Sequence, residues 1–157
     1  MELSSPAPSL NRIAVPVEPK TQSMLDWPVQ VLLVEDSTEA AWLVQAYLRR
    51  PEGDQFHVEW TQTIQEAMTR LALPGIEVVL LDLGLPELTG HRTFRAIDAA
   101  ASHKVPVVIL TADDRPVSRD LTVGFGASDY LIKDRISPAQ LRESLFTAIR
   151  QGRPSLH

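Results

Sequence analysis

The chain has 157 residues, 44% of them hydrophobic and 22% charged, with a formal net charge of −5 and no cysteine. One domain of that length buries about 70% of the surface its unfolded chain exposes. The missing cysteines exclude disulfides and thiolate metal sites, and the acidic balance argues against direct nucleic-acid binding, which needs a basic footprint.

No apolar run approaches the roughly 18 to 20 residues of a membrane span. The N-terminus lacks the basic segment and apolar core of a secretory signal, so a cytoplasmic protein without a membrane partner is expected. Residues 1–28 carry Pro6, Pro8, Pro16, Pro19 and Pro28 among Ser, Thr and Gln without periodicity, and read as a flexible arm.

Val29 to Val34 reads as the first strand, ending at Glu35-Asp36. Ser37 is an N-cap for a helix whose Ala40, Ala41, Leu43, Val44, Tyr47 and Leu48 recur at helical spacing. Arg49-Arg50 suits the negative end of that helix, and Pro51 stops it. A second strand over Phe56–Trp60 precedes a helix over Thr63–Leu73 with Ile64, Ala67, Met68 and Leu71 inward. A third strand runs from Glu77 to Asp82, with the apolar run Val78–Leu81 buried on both faces.

A helix over Gly90–Ala100 follows, burying Phe94 and Ile97. The fourth strand, Val105–Leu110, ends at Thr111-Ala112, and a weaker helix, interrupted by glycines, spans Val117 to about Phe125. Tyr130–Ile132 is a short fifth strand ending at Lys133. Ser137-Pro138 then opens a last helix to about Arg150 with an apolar stripe of Leu141, Leu145, Phe146 and Ile149. Five alternations of strand and helix predict an α/β fold, an open parallel sheet with helices on both faces. The domain is expected over 29–150, followed by a tail at 151–157 too short for a folded output module.

Four strands end the same way, in an apolar run followed at once by a residue able to do chemistry: Glu35-Asp36, Asp82, Thr111 and Lys133. Parallel strands put those ends on one edge, where α/β proteins bind ligands. Three carboxylates gathered there resist ionising together. A hard divalent cation is the usual compensation, and magnesium suits a few carboxylates with water and phosphate oxygens, a backbone carbonyl such as that of Gly84 completing the set. Lys133 and Thr111 add an ammonium and a hydroxyl for an anionic group on Asp82. An aspartate can itself accept a phosphoryl group.

The segments V-L-L-V-E-D-S, L-L-D-L-G-L-P-x-x-x-G, V-I-L-T-A and G-A-S-D-Y-L-I-K, in this order between about Pro28 and Arg150, resemble the receiver domains of two-component response regulators. That resemblance implies a flavodoxin-like sheet of order 2-1-3-4-5. It implies a phosphoryl group donated by a histidine kinase or histidine phosphotransfer protein to Asp82, with Mg2+ held by Glu35, Asp36, Asp82 and the Gly84 carbonyl. Thr111 is then the hydroxyl that shifts toward the phosphate and Lys133 its ion partner. Tyr130 matches the switch aromatic, although by its residue type it reads equally well as a core aromatic with a surface hydroxyl. The output surface expected by resemblance is formed by the fourth helix, fifth strand and last helix, used by an unknown protein target or by a homodimer formed on phosphorylation.

Two departures from the family pattern matter, one at Asp134 and one at Gly84 with Asp113. Asp134 stands where proline often supports a cis bond; a non-proline cis bond costs roughly 3 kcal/mol, so a trans bond or a strained loop is expected at 133–134. Gly84 leaves water access to the acceptor open, while Asp113 adds negative charge nearby. Two other functions remain readable: an interaction module that is never phosphorylated, and an aspartyl-phosphate hydrolase of the haloacid dehalogenase type. The second lacks the acid two residues beyond its nucleophile, since Gly84 is there. The domain is therefore expected to be a signalling receiver rather than an enzyme acting on separate substrates. Arg92, Arg95, Arg115 and Arg119 read as solvated faces, the histidines show no metal-ligand spacing, and Trp27, Trp42 and Trp60 read as packing residues.

Overall fold

The computed structural model describes residues 28–50 and 54–152. The elements are β1 (Val29–Val34), α1 (Thr38–Leu48), β2 (Phe56–Thr61), α2 (Ile64–Leu71), β3 (Val78–Leu81) and α3 (His91–Ala100). They continue with β4 (Val107–Thr111), α4 (Pro116–Gly124), β5 (Asp129–Ile132), a 3-10 turn over Lys133–Arg135 and α5 (Pro138–Gln151). The five strands are parallel in the order β2-β1-β3-β4-β5, as the resemblance implies. The N-terminal arm, Trp27, the Pro51 helix stop and the tail from residue 153 lie outside the described residues.

Alternation along the strands sorts the core into two layers, because successive side chains of a strand leave by opposite faces. Leu32, Val34, Val79, Leu81, Val107 and Ile109 pack with Ile64 and Ala67 of α2 and Phe94 and Ile97 of α3. Val31, Leu33, Val78, Leu80, Val108 and Leu110 pack with Ala41, Val44 and Leu48 of α1 and Leu141, Leu145 and Ala148 of α5. All four β3 residues are fully buried, which fits their uninterrupted apolar run.

Caps fix the helix starts. The Ser37 and Thr63 hydroxyls accept from the Ala40 and Glu66 amides at 3.2 and 3.1 Å. Ser137 and Gln140 form a reciprocal capping box at the start of α5.

Several expectations are corrected. β3 is shorter than expected at both ends, stopping before Asp82, and β4 starts at Val107 because Val105 and Pro106 precede the strand. Pro106 has no amide hydrogen, although its carbonyl accepts from Val79. Met68 and Leu43 face outward: α2 and α1 each lie on one sheet face, and their buried stripes are taken up by Ile64 with Ala67 and by Ala41 with Val44. Trp42 is 72% exposed and so is not a packing residue. Gly124 closes α4 instead of interrupting it, and the sharp turn falls at Gly126 with φ 117°, a conformation glycine adopts without a Cβ clash.

Candidate functional site

Because β1 and β3 are neighbours in register, with Val34 opposite Leu81, their next residues Glu35 and Asp82 meet at the carboxyl edge of the sheet. Glu35, Asp36 and Asp82 each offer a carboxylate oxygen, and the three oxygens lie within 4.8 Å of one another. Glu35 and Asp82 are buried; Asp36 is exposed. Lys133, the first residue after β5, spans the gap. Its Nζ lies 2.7 Å from Glu35 Oε1 and 3.1 Å from Asp82 Oδ2.

Both Asp82 oxygens are thus occupied by donors, since the Gly84 amide donates to Oδ1 at 2.9 Å. It is this amide that the structure shows engaged, while the carbonyl remains an expectation for the metal. A Cβ added at Gly84 would stand 3.4 Å from Asp82 Oδ1, so any side chain there would lie against the Asp82 oxygens. Glycine keeps that approach clear.

Burial pushes the Glu35 carboxyl up to about 7, aided by the neighbouring Asp82 charge and opposed by the hydrogen bond from Lys133. Burial works against the Lys133 charge as well, yet the bonds to Glu35 and Asp82 outweigh it and raise its pKa. Three carboxylates against one ammonium leave a charge of −2 when all are ionised. A divalent cation balances it, and carboxylate oxygens are the donors magnesium prefers, so the residues present fit that ion.

Thr111, buried at the end of β4, accepts a long hydrogen bond of 3.4 Å from the Asp113 amide. The structure brings Glu35, Asp36, Asp82 and Lys133 together and sets Thr111 one strand away from Asp82, on the neighbour of β3. Tyr130 is 4% exposed, and its hydroxyl donates to the Asp113 carbonyl at 2.8 Å. The surface-hydroxyl alternative is therefore corrected: the phenol is bonded inside, and burial together with the Asp113 charge pushes its pKa up to about 12.

The Asp113 charge, expected beside Asp82, is not free. Arg115 Nε and Nη2 donate to its two oxygens at 2.9 and 2.7 Å, and Ser118 Oγ donates at 2.8 Å. These bonds, those from Arg115 first, hold its carboxyl well below the usual carboxylate range. Arg115 is accordingly not a solvated face alone. No cis peptide bond occurs among the described residues, so the 133–134 bond is trans, and neither residue has a positive φ.

Trp60 packs against the core as expected, but sequence reasoning missed that its Nε1 donates to the Glu35 carbonyl at 2.7 Å and pins the acidic turn from β2. Its place at the end of a strand next to β1 was the available signal. It also missed the Asp113–Arg115–Ser118 clamp, whose i, i+2, i+5 spacing matches no helical or strand period.

The model of the response regulator receiver domain matches residues 31–146. The swarming motility regulation protein RssB of Serratia marcescens is 36% identical over 105 residues, 67% of this chain and 46% of that protein. The autoinducer 2 sensor kinase/phosphatase LuxQ of Vibrio vulnificus is 27% identical over 130 residues, 83% of this chain and 15% of that protein. The chain spans less than half the length of these curated relatives.

Among solved structures, a CheY-like receiver domain protein of Methanospirillum hungatei superposes with TM-score 0.67 at 19% identity, over 79% of this chain and 95% of that one. The receiver domain of a Pseudomonas aeruginosa sensor histidine kinase, which has a magnesium ion coordinated in its active site cleft, superposes with TM-score 0.66 at 27% identity. That match covers 78% of this chain and 98% of the other.

Proposed function

The chain belongs to the response regulator receiver family, and on that premise we propose that it accepts a phosphoryl group on Asp82 and signals through a protein partner. The observation that carries this reading is the Asp82 carboxylate, buried and held by the Gly84 amide and Lys133 beside two further carboxylates. An Asp82 oxygen attacks the phosphorus of a donor phosphohistidine. The O–P bond forms, the N–P bond breaks, and the imidazole nitrogen keeps the electron pair.

Glu35, Asp36 and Asp82, with the Gly84 carbonyl, would hold Mg2+, which when bound offsets phosphoryl charge. Lys133 keeps a fixed positive charge beside the acceptor oxygen, and its bond to Glu35 holds the ammonium in place during transfer. The Thr111 hydroxyl is the donor available on the neighbouring strand for a phosphate oxygen. Drawing it toward Asp82 would strain its contact with the Asp113 amide. Tyr130 and α4 are joined to Asp113, so the same shift would bias them, a population change that phosphate produces by fitting one arrangement better.

The domain would promote its own phosphorylation and dephosphorylation without turning over a separate substrate. The donor would be a histidine kinase or phosphotransfer protein, in the cytoplasm. Among the described residues no helix is long and apolar enough to cross a membrane. The output would use α4, β5 and α5 against a protein target or a second copy.

Incubation with magnesium and a small phosphodonor, followed by intact-mass measurement, tests the reading. The wild type should gain one phosphoryl group, and Asp82→Asn should gain none. No gain on the wild type, under conditions that modify an active receiver, would leave the unphosphorylated interaction module as the better account.

A further inference from the structure

A groove between α3 and the end of α4 shares no residue with the acidic pocket. Arg92, Arg95, Ala96 and Ala99 of α3, with His103 beyond it and Phe125 at the end of α4, line a cavity of about 560 Å³. At the helical rise the stripe from Arg92 to Ala99 runs for about 10 Å along one side of α3, a shape suited to a peptide element.

Its charge runs against that of the chain as a whole. The net charge is −5 overall, yet residues 91–104 hold Arg92, Arg95 and Lys104 against Asp98 alone, giving +2 with histidines neutral. Asp98 is buried and already bonded to His103 Nδ1 at 2.8 Å. Among the described residues Arg92 and Lys104 have no acidic partner, and Arg95 rests on an aromatic face, its guanidinium 4.6 Å from the Phe125 ring centre. His91 stacks on the same ring at 5.4 Å.

The start of α3 adds to this imbalance. Arg92 stands in its first turn with no acid there and no side-chain cap from Gly90, at the end of the helix where the dipole disfavours a cation. An anion brought to this face relieves that repulsion, and the apolar floor of Phe125, Ala96 and Ala99 takes an apolar side chain.

We propose that the α3–α4 groove docks an acidic amphipathic helix of a partner protein, its carboxylates on Arg92 and Arg95 and an apolar anchor against Phe125. Guanidinium forks suit carboxylates at such a site. None of the lining residues belongs to the acidic pocket, and docking there does not require phosphate on Asp82.

The test is a titration of the isotope-labelled full chain, followed by NMR, with a synthetic acidic helical peptide bearing Phe and Leu anchors. Backbone shifts should concentrate in α3 and around Phe125. Affinity should fall at least tenfold in Arg92→Glu/Arg95→Glu and also fall in the milder Arg92→Gln/Arg95→Gln, while Arg49→Glu, an exposed cation just past the end of α1, leaves it unchanged. Thermal melts confirm that the variants fold. Shifts centred elsewhere, equal loss in Arg49→Glu, or no binding at millimolar peptide would overturn the proposal. Pyrophosphate acting as strongly at the same residues would replace it with a small-anion site.

Discussion

β3 and α4 lie at the two extremes of this molecule. Every residue of β3 is buried between two layers of helices, and the carboxylate that follows it is fixed by two donors. α4 has a single buried residue, Thr122, and leaves Val117, Leu121 and Val123 between 43 and 60% exposed. Its start is held by polar contacts, chiefly the Asp113 carboxylate on Arg115 and Ser118. Hydrophobic burial is non-directional and large, so β3 offers a rigid base for chemistry. A few hydrogen bonds, each worth about 0.5–1.5 kcal/mol net, can be exchanged at small cost, which is what a responding element needs.

The contrast can be broken most severely in the strand. Leu80→Ala should lower unfolding free energy by about 2–5 kcal/mol through cavity formation, measured by denaturant melts. A loss below 1 kcal/mol would show that β3 is not the rigid member. At the site, Lys133→Ala should slow phosphodonor labelling of Asp82 by about a hundredfold or more, the usual size for removing a preorganised charge, read by time-resolved intact mass. A rate within threefold of wild type would remove Lys133 from the chemistry.

Proton competition should be smaller. Glu35 is pushed up to about 7 from an ordinary 4.5, so the protonated form is the one the metal-free fold favours. Its contribution to stability is full below about 4.5 and lost as pH rises through about 7. Magnesium needs the ionised form, so its affinity should climb over the same window, by about tenfold per pH unit below 7. Calorimetric titrations at pH 6 and 8 check this; equal affinities would mean that Glu35 is ionised throughout.

On the responding side the effects should be modest. Tyr130→Phe deletes the bond to the Asp113 carbonyl and should cost about 0.5–1.5 kcal/mol, with the α4 amides exchanging faster than those of β3 in hydrogen-exchange measurements. Faster exchange in β3 instead would invert the comparison. Val117→Ala, at an exposed position, should change stability by less than about 0.5 kcal/mol.

Much of this was readable from residue order alone. Apolar runs of three or four residues that stop at Glu35-Asp36, Asp82, Thr111 and Lys133 specify parallel strands and place those side chains on one edge, because strand polarity fixes which end carries them. Ser37, Thr63 and Ser137 mark helix starts because their hydroxyls satisfy amides that no helix carbonyl can reach.

Other features belong to the tertiary structure. Which of Met68, Ala67 and Ile64 turns inward depends on how α2 rotates on the sheet, a choice that helical spacing leaves open. The bridge from Lys133 to Glu35 and Asp82 fixes one ammonium between two carboxylates far apart in the chain, and with it the elevated Glu35. The Tyr130 bond to Asp113 and the cationic groove over Phe125 likewise arise only when α3, β4, α4 and β5 are side by side. Local sequence sets which groups can form such contacts; packing in three dimensions sets the distances, and electrostatic consequences follow from distance and burial.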